Sequence, residues 1–101
     1  MSGTMVTEPA SDAPGNGSPD DPQAHIAGLR DRIDEIDATL IRLWLERAAI
    51  SREVGSTRVA SGGTRLVLSR EREILDRFRD ALGADGTQLA LLVLRAGRGP
   101  L

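Results

Sequence analysis

Cysteine, lysine and tyrosine are all missing from this 101-residue chain. Without cysteine there is no disulfide, no thiolate nucleophile and no zinc site of the finger type. Without lysine there is neither Schiff-base chemistry nor a phosphate-loop lysine, and all thirteen basic residues are arginine. A genome that favours arginine codons accounts for that imbalance. One histidine, His25, leaves no room for a histidine-based metal cluster. Two aromatics, Trp44 and Phe78, cannot build a base-stacking platform, and a net charge of −2 gives no pull toward nucleic acid. No run approaches the roughly 18 apolar residues of a membrane span, and the first residues have neither the basic start nor the apolar run of a secretory signal. The expectation is a soluble, cytoplasmic protein that binds neither nucleic acid nor membrane.

What is present is helical. A chain of 101 residues supports one domain with a modest core, so oligomerisation would help it. Residues 1–22 are rich in Gly, Pro, Ser, Asp and Ala and nearly free of large apolar residues, so burial cannot offset the entropy of ordering them. They are expected to be a disordered tail ahead of one domain over 23–101. In that domain Ile26, Leu29, Ile33, Ile36, Leu40, Leu43, Ile50 and Val54 follow the three-and-four spacing of a heptad seam, with Arg47 in the slot between Leu43 and Ile50. At about 1.5 Å of rise per residue, Ile26–Arg58 would span roughly 50 Å, more than a lone domain of this size can cover. The seam therefore calls for another long helix, from a second copy.

The first helix should begin near Pro22–Ala24, with Asp20 or Asp21 as cap, and end before Gly62-Gly63. A second is expected from about Leu66 to Leu82, with a core stripe of Val67, Glu71, Ile74, Phe78 and Leu82 that again holds one charge. After Gly83, the order Asp85-Gly86-Thr87-Gln88 reads as a capping box. It opens a third helix, apolar nearly all round through Leu89–Leu94 and buried in the assembly, before a Gly97-Arg98-Gly99-Pro100 ending that should fray. No strand signal appears, so the fold class is all-α.

Two residues break the apolar stripes, Arg47 and Glu71. On an ideal helix Arg58 lies about 20° of net rotation and roughly 16 Å from Arg47, so both guanidinium groups face one way across a gap suited to a small dianion. Arg30 lies on another face of the same helix, but in an antiparallel two-fold dimer the partner's Arg30 could swing opposite Arg47. The plainer readings stand beside this one. A seam arginine can be a register device that snorkels to water, and Glu71 can be an ordinary surface carboxylate served by Arg70 or Arg72.

The ordered set Leu29-Arg30, Ile36-Asp37, Leu45-Glu46-Arg47, Val54-Gly55-x-x-Arg58 and Ser69-Arg70-Glu71 resembles the all-helical, AroQ-type chorismate mutases. Ala60–Val67 and the Leu94–Gly99 ending are similar to the short intracellular subgroup of that family. The resemblance covers roughly residues 26–99. It implies three helices, one long and two shorter, in an intertwined antiparallel homodimer whose active sites are shared between chains. It implies conversion of chorismate to prephenate, with no cofactor and no metal, on the route to phenylalanine and tyrosine. By the same resemblance the partner's Arg30 and Arg47 would hold carboxylates, Arg58 would face the ether oxygen and a carboxylate, and Glu71 would accept the ring hydroxyl, with Arg70 lining the pocket.

This sequence also departs from that pattern. Val67 stands where many relatives carry an acid on the hydroxyl side of the substrate, and the C-terminal Gln or Glu of other branches has no clear counterpart, Gln88 belonging to the start of the third helix. Both departures imply weak activity alone. The resembling subgroup forms a complex with 3-deoxy-D-arabino-heptulosonate-7-phosphate (DAHP) synthase, which raises mutase activity. The alternatives are an isochorismate pyruvate-lyase on the same fold and a non-catalytic helical dimerisation module.

Overall fold

The computed structural model of the chain describes residues 21–99, and apart from Asp21 and Pro22 the expected tail lies outside them. Three helices follow one another: α1, Pro22–Ala60; α2, Leu68–Leu82; and α3, Ala84–Arg98. The start of α1 is set by Asp21, whose Oδ1 accepts the Gln23 N–H at 3.0 Å, with Pro22 in the first turn where a missing N–H costs nothing. Its stop is the double glycine. Gly62 takes φ +88°, a left-handed turn closed to most side chains, and the Gly63 N–H donates to the Arg58 carbonyl at 2.7 Å.

The chain forms two compact units that divide between Leu40 and Ile41, and α1 runs through both. In the first unit the apolar members of the seam, Ile26, Leu29, Ile33, Ile36 and Leu40, are all 40% or more exposed. In the second unit the seam is equally open at Leu43, Ile50 and Val54, while the core gathers on another side from Ala48, Ile74, Ala90, Val93 and Leu94. Small residues set how closely the helices approach. A Cβ on Gly86 would fall on the Phe78 carbonyl oxygen, and one on Gly97 would stand 2.5 Å from the Ser51 Oγ. α2 and α3 are thereby folded back on each other, and the end of α3 is seated on the C-terminal part of α1.

Three boundaries differ from the sequence reading. α2 begins at Leu68, because Val67 is extended at φ −123° and ψ 105° and its carbonyl accepts the Glu71 N–H. The Asp85–Gln88 capping box does not form: Gly83, at φ 75°, leads directly into α3, leaving Asp85 inside the first turn, where its charge suits the helix dipole. Of the Gly97–Pro100 ending expected to fray, Gly97 and Arg98 are helical, and Pro100 lies outside the described residues. Packing on Ser51 carries α3 one residue further, to Arg98. On α2 the stripe holds at Ile74, which is buried, and at Val67, Glu71 and Phe78, which are half-buried, but Leu82 is 57% exposed. Within one chain α3 is likewise only half covered, with Ala90, Val93 and Leu94 inside and Leu89, Leu91 and Leu92 out.

Candidate functional site

The second unit contains a cavity of about 270 Å³, room for a small molecule. α1 supplies Arg47, Ser51, Gly55 and Arg58 along one wall, with Ile50 and Val54 between. The helical spacing read from sequence places Arg47 and Arg58 on the same cavity, as their shared direction required. The start of α2 supplies Arg70 and Glu71, and Val67 from just ahead of it also lines the wall. Ile74 and Leu94 form the apolar floor.

Four arginines, Arg47, Arg58, Arg65 and Arg70, thus line the cavity together with one acidic residue, Glu71. Arg70 is held by Glu73 at 3.2 Å, and Glu71 by Arg98 at 3.5 Å. Among the described residues Arg47 and Arg58 form no ion pair, so the wall they share is an uncompensated cationic surface. The Arg47 guanidinium is held below its ordinary pKa by partial burial first, then by the nearby charges of Arg70 and Arg77. Such a surface is made to receive an anion, and its planar forks can each take a carboxylate with paired hydrogen bonds.

Of the six residues picked out from sequence, Arg47, Arg58, Val67, Arg70 and Glu71 line this cavity. Arg30 belongs to the first unit and is exposed there. The sequence reading missed Arg65 as a cavity residue. Its side chain lies over Gly55, where an added Cβ would stand 3.1 Å from the Arg65 Cγ. The signal was the spacing Ala48, Ser51 and Gly55, small residues on one face of α1 that mark where another segment comes close. Among the described residues no group of three or more potential ligand side chains is placed to hold a metal ion, and no helix is long and apolar enough to cross a membrane.

Residues 29–93 match the model of the family "Chorismate mutase type II". The chain is 53% identical over 76 residues to the intracellular chorismate mutase of Mycolicibacterium smegmatis, covering 75% of this chain and 73% of that one. It is 49% identical over 80 residues to the intracellular chorismate mutase of Mycobacterium tuberculosis, covering 79% and 75% respectively. Among solved structures it is similar to a chain in the non-covalent complex of DAHP synthase and chorismate mutase from Corynebacterium glutamicum with a bound transition state analog. That likeness has a TM-score of 0.73 and 42% identity, over 78% of this chain and 95% of the other. Three helices, a cationic cavity lined by residues from all of them and a match over most of the folded residues agree, and the chain belongs to the type II chorismate mutase family.

Proposed function

We propose that this protein is a chorismate mutase that rearranges chorismate to prephenate, through sites completed by a second copy of the chain. The observation that carries the reading is the pair Arg47 and Arg58, which face one cavity without an acidic partner while Glu71 stands on the α2 wall. The reaction breaks an ether C–O bond as a C–C bond forms within one molecule. No proton, electron or leaving group passes to the protein. What remains for the side chains is to hold a dicarboxylate in its compact conformer and to meet the negative charge that grows on the ether oxygen.

In this reading Arg47 and Arg30 of the second copy clasp the carboxylates, while Arg58 faces the ether oxygen and a carboxylate. Glu71 accepts the ring hydroxyl, with Arg70 lining the pocket. Val67 leaves the hydroxyl side with an apolar neighbour where an acid would give a second acceptor, which favours modest turnover by the protein alone. The support for a second copy is the length of α1 and its open row of Ile and Leu side chains. Taking such a side chain from full exposure to full burial contributes about 1.5–3 kcal/mol, and these, already partly covered, would add a share of that. An intertwined antiparallel homodimer buries that row and delivers Arg30. The bacterial complex that holds the similar chain supports a DAHP synthase partner; in this reading that partner raises turnover. In this reading residues 23–101 are the catalytic domain, and the protein acts in the cytoplasm.

The test is turnover of purified chorismate, with and without DAHP synthase. Arg58→Ala and Arg47→Ala should each abolish prephenate formation while the dimer persists in sedimentation. Full activity in either variant would refute the site. Pyruvate released from isochorismate, with chorismate left untouched, would transfer the protein to the lyase alternative. No turnover of either compound would leave the helical dimerisation module.

A further inference from the structure

Glu71 does not stand alone on the α2 wall. Arg98, in the last turn of α3, donates from Nη2 to the Glu71 Oε1 at 3.5 Å, with side-chain exposures of only 28% and 20%. The other ion pairs among the described residues link positions no more than four apart, whereas this one joins two helices. Arg98 is not among the cavity-lining residues, so it reaches the carboxylate from outside the space a ligand would fill. Its Nε is buried without a hydrogen-bond partner, so the side chain holds this place at a cost in desolvation. Gly97, seated on Ser51 with no room for a Cβ, fixes the depth of the turn from which Arg98 extends.

The cavity explains why such an anchor is needed. A carboxylate beside Arg47, Arg58, Arg65 and Arg70 is drawn toward them, and each internal ion pair would remove a donor meant for a ligand. Arg70 is already occupied by Glu73. The Glu71 Oε2 makes no hydrogen bond among the described residues, so one oxygen is tethered and the other is left over.

We propose that Arg98 is a positioning residue: it holds Glu71 from behind the cavity, keeping one carboxylate oxygen free for a ligand hydroxyl and Arg47 and Arg58 free for carboxylates. This rests on the reading of Glu71 as the acceptor of the substrate hydroxyl.

A double-mutant cycle on the full-length chain separates the two claims. Arg98→Met, which keeps the aliphatic stem and its packing, should lower kcat/KM about tenfold, and Arg98→Lys should recover part of the loss. In a Glu71→Ala background Arg98→Met should change nothing further, because its target is gone. Losses that multiply across the cycle would overturn the inference, as would an Arg98→Met protein with wild-type kcat/KM. Melting temperature and dimer content are followed for each variant. Should Arg98→Met fail to fold, the cycle is run with Arg98→Lys, and additivity there counts against the inference equally. If Glu71→Ala retains wild-type kcat/KM, the role of Glu71 itself falls and takes the inference with it. If Glu71→Ala is impaired and Arg98→Met is not, only the inference falls.

Discussion

Arg47 bears the sharpest conflict between folding and binding. A base whose pKa is lowered by folding has a charged form that the fold disfavours. That cost is present at every pH below the lowered value and is relieved only as pH rises through it. Since an arginine is charged throughout the ordinary range, the ligand-free protein carries the cost in full at neutral pH, and an anion in the cavity reverses it. A small dicarboxylate at about a hundred times its dissociation constant should therefore stabilise the fold by about 2.7 kcal/mol, read as a rise in melting temperature. The same addition to Arg47→Ala should give little or no rise; an equal rise would mean that the anion binds elsewhere. Arg47 and Glu71 were legible in the sequence because each put a charge where an apolar stripe demanded none. Arg65 and Arg98 interrupted no pattern. They act through chain reversals, the Gly62-Gly63 turn and the packing of Gly97, that a linear reading does not bring together.

At the scale of elements, the two close helix approaches are where single methyl groups matter most. Gly86→Ala sets a Cβ against the Phe78 carbonyl oxygen and should destabilise the protein by about 2–4 kcal/mol in chemical denaturation, since backbone cannot move aside as a side-chain tip can. Gly97→Ala meets the Ser51 side chain instead. It should cost less stability but lower kcat/KM disproportionately, because the displaced turn carries Arg98 and Ser51 lines the cavity. Equal effects of the two substitutions on stability and on catalysis would argue against this division. Existence and order of the three helices followed from heptad spacing and glycine stops, both local signals. The start of α2 and the failed capping box did not, because Val67 is held extended ahead of α2 and Gly83 runs straight into α3 without a side-chain cap.

At the scale of the whole molecule the uncovered row on α1 bears on assembly. If the open row on α1 pairs with a second copy, Leu29→Glu and Ile33→Glu should convert the dimer to monomer in sedimentation and remove turnover together. A monomeric variant with full activity would sink the shared-site reading. A stricter trial mixes chains carrying Arg30→Ala with chains carrying Arg58→Ala, each inactive alone. Random pairing leaves one sound site in half of the dimers, so about a quarter of the wild-type rate should return. The seam spacing pointed from sequence to a partner for α1; a partner that is a second copy is something no single chain contains.

The uncovered Ile and Leu ridge of α1 has a further consequence for how this protein responds to its own abundance. If its apolar face is satisfied only by meeting a twin, dilution acts as an inhibitor: below the dissociation constant of the pair, activity per chain falls with concentration although no bond, charge or residue has changed.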